Sequence, residues 1–431
     1  MPTARSTRCG PGTGPRWRTD LTATRARPPR PVVLGGDIGA YSIARAFHDT
    51  LGVRAILVPT FASAQFSRSR FVTARVESRI GEDEVMVATL LTIAADNPGE
   101  TLILFGAADW FVEAIARNRK RLEGAYVIPY PDAATIARAT DKVAFGEAAD
   151  RLGVPYPETT VVDLSLPLGD LSGLPYPVVA KAASTSEFHG VEFEGKEKVY
   201  YADDAATLAA QLGAARTAGY AGDFLVQRRV DGGDDHMRVA TCFAGAAGVE
   251  PAVVGRVLLE EHTPGALGNP AVILVEPFPD VDEGARLLAR ELGWRGYANF
   301  DAKWDAATGR HVFFELNPRL GRSNWYLAAS GHNPVPALLR EYVPEAVPLL
   351  RRRIQRRKAY SILPMPLVLR YVRGRLWWRL LGLWLTGRVV HPLWSWRDPS
   401  PRRWFYVQAY KFNQYRKFAR YYPPKRARMG A

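Results

Sequence analysis

The sequence predicts a parallel α/β fold in its first part, an α+β fold in its middle and a separate basic extension at its end. From residue 31, short apolar runs alternate with helical patterns, which is typical of a parallel sheet with helices on both faces. After residue 350, arginine and tryptophan accumulate instead. We therefore divide the chain into four segments, which are residues 1–30, 31–138, 139–345 and 346–431.

Length and composition indicate a globular protein. The chain has 431 residues, of which 47% are hydrophobic, and this is enough for several domains with cores of their own. Two cysteines, Cys9 and Cys242, cannot form a disulfide framework and suit a reducing cytosol. No apolar segment follows the basic N-terminus as in a signal peptide, and no stretch approaches the roughly 20 apolar residues of a spanning helix. We expect a cytoplasmic protein.

The net charge of +14 is distributed unevenly along the chain. Residues 351–431 contain 21 Lys and Arg but one acid, and residues 1–30 contain seven Arg but one acid, whereas residues 31–350 carry a net charge of −12. Two basic ends on an acidic body point to an anionic partner, either membrane lipid or nucleic acid. The first 30 residues have no apolar period, and we expect them to be disordered.

The first predicted unit begins with a buried strand at 31–34, a glycine-rich turn at 35–39 and a helix at 40–51. The further predicted elements are strands at 53–58, 101–105 and 125–128 and helices at 82–97 and 110–122. The turn lacks the third glycine of a dinucleotide-binding motif, and the second strand ends in Val58-Pro59 rather than in an acid. We interpret the turn as a tight strand-to-helix connection that needs glycine.

The middle segment is predicted to begin with a helix that Lys142 opens and Gly153 ends. Strands are predicted at 158–163, 176–181, 224–227, 237–243, 250–260 and 271–277, with helices at 204–218 and 282–292. Lys181 ends the apolar strand Val178-Val179-Ala180, so its ammonium needs an anion or must reach solvent. We expect Lys181 and Lys142 to contact phosphate, the alternative being two surface lysines.

The most informative motif is Phe313-Phe314-Glu315-Leu316-Asn317-Pro318-Arg319. Side chains two apart on a strand point the same way, so Glu315 and Asn317 share one face. Asp301, in an upstream strand-like run, offers a third oxygen ligand. Such oxygen donors suit Mg²⁺ bound to nucleotide phosphates, and Arg319 suits a phosphate or a carboxylate. The alternative is an ordinary strand edge with one solvated glutamate.

This pattern resembles the ATP-grasp superfamily, whose ligases and kinases activate a carboxylate with ATP, and the likeness extends over residues 31–340. It implies a pre-ATP-grasp α/β domain with its glycine turn facing the substrate, followed by a two-lobed ATP-grasp domain. The implied cofactors are ATP and Mg²⁺, with Mn²⁺ as a substitute. The implied metal ligands are Asp301, Glu315 and Asn317. Small hydroxyl residues at 182–190, among them Ser184, suit a loop that closes over the triphosphate, although an ordinary hairpin is the alternative.

Residues 225–236 resemble the hinge between the two ATP-grasp lobes. The resemblance implies that this hinge reads the adenine and holds the ribose. The residues implied for the adenine are Gln227, Arg228 and Val230. Either Asp234 or Asp235 is implied for the ribose, and the sequence leaves both open.

Three arginines are candidates for the acid substrate, namely Arg256 in a predicted strand and Arg319 and Arg322 at the metal motif, and Asn324 follows them. These groups could hold a carboxylate and steady an acyl phosphate, although structural ion pairs are the alternative. We expect Arg256, Arg319 and Lys181 to act as catalytic groups, without a side-chain nucleophile.

The expected reaction follows from the charges that it must bring together. A carboxylate is a poor electrophile, and transfer of the γ-phosphoryl group would convert it into an acyl phosphate that an amine attacks, giving an amide, ADP and phosphate. A metal ion and basic side chains would neutralise the two anions. Closure of the lobes would exclude water.

The basic extension contains six of the eleven tryptophans, all after residue 375. Tryptophan and arginine together suit a bilayer interface, which makes an anionic membrane surface the expected partner of residues 351–431. The four arginines of 367–385 do not share one helical face, so packing on the enzyme body is an alternative. Nucleic acid is the least favoured partner.

Within the superfamily, Phe193-Glu194-Gly195-Lys196 and the basic aromatic tail resemble the D-aspartate ligase-like branch. Those enzymes join an amino acid to the lysine side chain of a peptidoglycan precursor at the inner membrane face. We therefore expect small-molecule carboxylate and amine substrates, and the sequence is compatible with an oligomer. The alternatives are activation of bicarbonate, as in carbamoyl-phosphate synthase or biotin carboxylase, and a non-catalytic nucleotide-binding module tethered to membrane or nucleic acid.

Overall fold

The computed structural model describes residues 27–424 apart from 184–187, 189, 198 and 351–358. These residues form three sheets with helices packed against them. The predicted mixed α/β and α+β architecture is confirmed. Ser184, the basic run at 351–358 and most of the predicted N-terminal tail lie outside the described residues.

The first sheet is parallel, and both of its faces are buried. It contains β1 (Arg30–Leu34), β2 (Ala55–Val58), β3 (Val72–Ala74) and β4 (Leu102–Gly106) in the order β3-β2-β1-β4. Val33 packs into one core cluster and Val32 and Leu34 into another, which explains why these strands are continuous apolar runs. The helices of this unit are α1 (Ile38–Leu51), α2 (Asp83–Ala95), α3 (Asp109–Arg117), α4 (Arg119–Leu122) and α5 (Ala133–Thr140).

Two predicted elements of this unit differ from the structure. The helix predicted at 110–122 is interrupted at Asn118, whose side-chain amide donates to the carbonyl of Ala114 and to Asp83. Such side-chain bonds compete with the helical backbone, which explains the break. The strand predicted at 125–128 forms only one bridge, between Val127 and Ile103.

The second sheet is small and antiparallel, and it forms the first lobe of the middle segment. Its strands are β5 (Thr159–Asp163), β6 (Val178–Ala182), β7 (Tyr200–Ala202) and β8 (Asp223–Arg228), in the order β5-β8-β6-β7. The helix α7 (Ala205–Thr217) packs on this sheet, whereas the buried residues of the preceding helix α6 (Lys142–Leu152) lie in the core cluster that also contains Phe300 and Phe313. Edge-to-face rings of Phe188, Tyr220 and Phe224 fill the core between sheet and helix.

The third sheet is the largest and carries the predicted metal ligands. Its strands in this part of the chain are β9 (Met237–Gly245), β10 (Gly248–Val249), β11 (Val253–Glu260), β12 (Pro270–Val275), β13 (Gly296–Asp305) and β14 (Arg310–Asn317). They are antiparallel, with the order β14-β13-β9-β11-β12 and β10 beside β9. The helices are α8 (Pro279–Glu291), α9 (Trp325–Ala329) and α10 (Val335–Tyr342), and 3₁₀ turns lie at Asp234–His236 and Pro344–Leu349.

The C-terminal extension continues the third sheet. Its strand β15 (Ala359–Ser361) pairs antiparallel with β12, and β16 (Val389–Val390) pairs parallel with β15. Its helices are α11 (Met365–Val368), α12 (Gly374–Leu385) and α13 (Pro401–Tyr421). Apolar side chains of the extension join the core cluster that also contains residues of α1 and β11. In the described part of the chain, no helix is long and apolar enough to cross a bilayer.

A buried polar network fastens the extension to the first sheet's unit. The carboxylate of Asp398 lies 2.9 Å from Nε of Arg403, and both side chains are 3% exposed. The hydroxyls of Ser69 and Tyr41 also donate to Asp398, at 2.6 and 3.2 Å. The extension therefore packs on the enzyme body, which is one of the three interpretations that the sequence left open.

Candidate active site

The three predicted metal ligands meet on the hairpin of β13 and β14. Asp301 pairs directly with Glu315, and Asn299 pairs with Asn317. The side-chain amide of Asn317 donates to Oδ2 of Asp301 at 3.0 Å. Removal of Asp301 from water, together with the nearby charge of Glu315, raises the pKa of Asp301 to about 7.

This donor set fits a divalent cation of the Mg²⁺ or Mn²⁺ kind. Burial first and the facing carboxylate of Glu315 second raise the pKa of Asp301, and a cation between the two carboxylates would relieve their repulsion. The described residues contain no cluster of three or more His, Cys, Asp or Glu, so the site has two carboxylates and one amide oxygen. Mg²⁺ at nucleotide sites takes one or two carboxylates and completes its shell with phosphate and water.

Arg319 lies between the β13–β14 edge of the third sheet, called the metal edge below after the candidate ligands Asp301, Glu315 and Asn317, and the unit built on the first sheet. Its Nε lies 2.8 Å from Oδ1 of Asp109, and one of its terminal nitrogens donates to Oδ1 of Asn317 at 3.4 Å. Asp109 is the first residue of α3, and two residues separate it from the end of β4. Sequence reasoning missed Asp109, although the carboxyl end of a parallel strand is where open α/β sheets place ligand-binding groups.

Arg322 lies at a junction of three parts of the chain. Its guanidinium is 3.0 Å from Oε2 of Glu261, at the end of β11, and 3.8 Å from Asp37 of the glycine turn. Asp37 caps α1 by accepting from the backbone of Ala40 at 2.8 Å, and burial raises the pKa of Asp37. A Cβ on Gly39 would lie 3.0 Å from Cα of Arg322, so the glycine permits this close approach.

The other two predicted substrate residues have internal partners. Arg256 donates to Oδ2 and to the carbonyl of Asp235, both at 3.2 Å. Asn324 is 2% exposed, and its amide donates to the carbonyls of Gly39 and Gly321. The hydrogen bonds of Asn324 thus stabilise the loop that carries Arg319 and Arg322. Contact of Arg256 and Asn324 with a substrate stays a prediction.

The two lysines and the hinge glutamine lie around the small sheet. Val179 and Lys181 of β6 pair with Gln227 and Leu225 of β8, so Lys181 and Gln227 share one face of the sheet. Buried Gln227 donates to the hydroxyls of Tyr156 and Thr159 at 3.1 and 2.9 Å. The Tyr156 hydroxyl donates in turn to the carbonyl of Lys142 at 3.0 Å. Sequence reasoning missed Tyr156, and no local motif marks it.

The rest of the hinge is bound to the third sheet. Arg228 donates to Asp305 at 2.5 Å, and the carbonyl of Val230 accepts from Nζ of Lys303 at 2.9 Å. Burial lowers the pKa of Lys303, while Glu260 close by acts in the opposite direction. The side chain of Arg228 is thus occupied, and the backbone amides of Arg228 and Arg229 donate to the carbonyls of Glu158 and Pro177. Recognition of adenine by the hinge stays a prediction.

The two candidate ribose acids have different surroundings. Oδ2 of Asp234 accepts from the backbone of Glu260 at 2.9 Å and lies 2.8 Å from Nε2 of His262. The side chain of Asp234 is 12% exposed, whereas that of Asp235 is 49% exposed and pairs with Arg256. Asp234 is therefore the more firmly positioned of the two.

Comparisons with known proteins give one curated relative and many structural neighbours. No family model matches the sequence. The chain is 30% identical over 314 residues to the D-aspartate ligase of Enterococcus faecium (strain Aus0004), which covers 70% of this chain and 74% of that protein. One similar solved structure is the L-amino acid ligase from Bacillus licheniformis, with a TM-score of 0.51 and 13% identity over 70% of this chain and 69% of that one. Another is the ADP complex of N5-carboxyaminoimidazole ribonucleotide synthetase, with a TM-score of 0.54 and 13% identity over 77% of this chain and 81% of that one.

A third similar structure is the biotin carboxylase domain of the Hydrogenobacter thermophilus 2-oxoglutarate carboxylase, in complex with MgADP and bicarbonate (TM-score 0.55, 14% identity, 76% of this chain and 73% of that one). Fold and relative together define an ATP-grasp enzyme, a ligase that forms carbon–nitrogen bonds. The chain belongs to the family of D-aspartate ligase within the ATP-grasp carboxylate–amine ligases. The resemblance inferred from the sequence is confirmed, and bound ADP and magnesium among the neighbours make ATP and Mg²⁺ a general feature of the superfamily.

Proposed function

We propose that this ligase uses ATP to activate the carboxylate of an amino acid, with D-aspartate as the preferred substrate. It then joins this carboxylate to an amine of a peptidoglycan precursor, with release of ADP and phosphate. The observation that carries the proposal is the hairpin of Asp301, Glu315 and Asn317 with Arg319 beside it. The 30% identity to a D-aspartate ligase supports the choice of acid.

The nucleotide would lie between the small sheet and the third sheet. We assign its phosphates to Lys142, Lys181 and Ser184, the last of which lies outside the described residues. We assign its adenine to Gln227 and to the hinge backbone at Arg228 and Val230. Its ribose is assigned to Asp234 or Asp235.

The metal edge and the arginines would serve the phosphoryl transfer. Asp301, Glu315 and Asn317 would hold Mg²⁺, which when bound neutralises phosphate charge. Arg319 would orient the acid's carboxylate towards the γ-phosphate and stabilise the acyl phosphate, with Lys181 and Arg256 neutralising the remaining charge. The amine then attacks the acyl carbon, the bond to phosphate breaks, and the amine loses a proton.

Two guanidinium groups on one loop suit an acid with two carboxylates. The side chains of Arg319 and Arg322 are 17% and 24% exposed, so each is fixed by protein partners and still partly accessible. One arginine would hold the reacting carboxylate and the other the second carboxylate of a dicarboxylic amino acid. A bicarbonate substrate would leave the second arginine without that role.

The experiment is Mg²⁺-dependent ADP release by purified protein, with D- and L-amino acids offered singly, with and without a precursor that contains lysine. Release that needs both D-aspartate and the precursor is the expected result. Release with bicarbonate alone, or with another acid, would retain ATP-grasp chemistry and reject the assignment of D-aspartate. The Glu315→Gln variant is the control for contaminating ATPases.

We further propose that the outward side of the extension docks on an anionic bilayer. On α12, buried Leu380 and Leu383 face the core, whereas Trp378 and Leu385, seven residues apart, are 70% and 75% exposed. On α13, Phe405 and Phe412 have the same spacing and are also exposed. Large apolar side chains in positions two helical turns apart form a stripe that an interface can receive.

The charge of the extension complements such a surface. Asp398 is the one acid among residues 351–431, and it is buried against Arg403. Two of the extension's arginines, Arg379 and Arg397, pair with Glu276 and Asp49 of the enzyme body, and the remaining excess of basic side chains in the extension favours contact with anionic headgroups. Exposed aliphatic and aromatic side chains together favour lipid over nucleic acid.

Sedimentation with vesicles tests this docking. We expect binding to phosphatidylglycerol vesicles, weak binding to phosphatidylcholine vesicles, and a loss of at least ten-fold in the double variant Trp378→Ser/Phe405→Ser. The matched control is Phe61→Ser/Trp110→Ser, which removes two exposed rings from the enzyme body. Equal loss in both double variants, or tighter binding to RNA than to vesicles, would reject lipid as the partner.

A further inference from the structure

The inward side of the extension reaches one of the candidate ribose residues. The ring of Tyr422, directly after α13, stacks on His262 with centroids 3.7 Å apart and planes 7° from parallel. His262 in turn places Nε2 2.8 Å from Oδ2 of Asp234. A chain of contacts therefore runs from the extension to the acid that follows the hinge.

The extension also fixes Tyr422 itself. The carbonyl of Tyr422 accepts from the hydroxyl of Tyr371 at 2.6 Å, and the rings of these two residues are nearly parallel, with centroids 5.6 Å apart. Phe418, on the buried side of α13, meets the edges of both His262 and Tyr371. Two aromatic residues of the extension, Phe418 and Tyr422, thus contact His262, and Tyr371 packs on both of them. None of the three belongs to the sheets between which we place the nucleotide.

Asp234 needs such support because of where it lies. It begins the 3₁₀ turn Asp234–His236, between β8 and β9, outside the strand pairings of either sheet. In the described part of the chain, the two hydrogen-bonding contacts of its carboxylate both use Oδ2, one with the backbone N–H of Glu260 and one with Nε2 of His262. That arrangement leaves Oδ1 as the acceptor for a ligand hydroxyl.

We infer that the extension completes the nucleotide site: Tyr422 positions His262, and His262 positions Asp234 for the ribose hydroxyls. Tyr422 is thus a positioning residue that acts through two others. The inference rests on the proposed assignment of Asp234 to the ribose. It gives the extension a role in nucleotide recognition besides any role on its outward side.

Calorimetric titration of the full chain with MgADP and with its 2′,3′-dideoxy analogue tests the inference. The Tyr422→Ala variant loses the ring that stacks on His262, which should leave Asp234 less well positioned. We expect this change to raise the Kd for MgADP about five-fold or more. The dideoxy analogue lacks the hydroxyls, and its Kd should change less than two-fold. Tyr422→Phe retains the ring and should bind both nucleotides as the unaltered chain does.

The control variant is Tyr421→Ala, the neighbouring residue, whose ring lies against the guanidinium of Arg420. It should leave both dissociation constants unchanged. A Tyr422→Ala protein that loses affinity equally for both nucleotides has a general defect, and this would overturn the inference, as would unchanged affinity for MgADP. An unaltered chain that binds both nucleotides equally would reject the ribose assignment on which the inference rests. An unaltered chain that binds neither would reject the proposed function itself.

Discussion

The two edges of the third sheet are built in different ways. At one edge, β13 and β14 form a hairpin whose paired residues Asp301 and Glu315 are proposed metal ligands. Towards the other edge, β12 pairs with β15, more than 80 residues further along the chain, and β16 of the extension is the last strand. The chemistry depends on neighbours in sequence, whereas the covering of the sheet depends on distant ones, so only the first edge has a local sequence signature.

The buried acids near the two edges also differ in their partners. Asp301 faces another carboxylate and has a raised pKa, which is a charge arrangement that needs a ligand to complete it. Asp398 has an arginine and two hydroxyl donors, which satisfy it within the protein. A buried acid that faces a second acid therefore marks the edge that we propose to be functional, and a buried acid paired with an arginine marks the structural one. Substitutions at each should separate activity from stability.

The largest effect is expected for Glu315→Gln at the metal edge. Loss of one of two carboxylates should lower the rate of ADP release by about 1,000-fold, because the charge of the transferred phosphoryl group is no longer neutralised. The thermal midpoint of the metal-free protein should stay the same or rise, since the repulsion with Asp301 is removed. Glu100→Gln, in a partly buried ion pair with Arg30 at the start of β1, is the control and should retain activity. Residual activity above one tenth would place the metal elsewhere.

For Asp398→Asn in the extension, we expect a loss of stability rather than a direct loss of activity. Breaking a buried ion pair leaves the charge of Arg403 uncompensated and should lower the free energy of unfolding by about 3 kcal/mol, seen as a fall in the thermal midpoint. Asp96→Asn, whose partner Arg75 is exposed, should cost less than about 1 kcal/mol. Equal midpoints for both variants would mean that the Asp398 network does not hold the extension in place.

This contrast explains what sequence reasoning could reach. The parallel first sheet and the β13–β14 motif were predictable, because period-two alternation and continuous apolar runs are local signals. The pairing of Asp301 with Glu315 followed from two strands with a short connection. The relative and the fold confirm the class of enzyme that these residues indicated.

Other parts of the site had no local signal. Tyr156 meets Gln227 across 71 positions and Asp109 meets Arg319 across 210, so neither contact follows from spacing along the chain. The strands β7, β15 and β16 have three residues or fewer, which is too short for a periodic pattern. The distribution of charge suggested that the extension faces a partner, but it could not reveal that aromatic residues on its inner side contact His262.

A smaller effect on activity is expected for Asp109→Asn. Arg319 would lose its ionic partner and be less well oriented, which should lower kcat about ten-fold while the KM for ATP changes little. Steady-state kinetics with the acid substrate would measure this. The matched control is Asp83→Asn, another acid at the first residue of a helix, which pairs with Arg117 away from the site and should leave kcat unchanged. A larger change in the KM for ATP than in kcat would assign Arg319 to the nucleotide rather than to the acid.

The smallest effect is expected for Glu260, at the end of the central strand β11, between the two edges. Burial, aided by the charge of Asp234, raises the pKa of Glu260 to about 8. The folded state therefore holds a proton between about pH 4.5 and pH 8 that the unfolded chain releases, so the free energy of unfolding falls as pH rises through this window. In metal-free protein, the thermal midpoint should fall from pH 5 to pH 8 by the equivalent of about 1 to 2 kcal/mol, after allowance for partial exposure. The Glu260→Gln variant cannot titrate at this position, so its thermal midpoint should depend less on pH. If the midpoints of the two proteins changed in parallel with pH, Glu260 would be ionised throughout. The middle of the sheet would then resemble the edge with Asp301 and Glu315, where an acid needs a ligand.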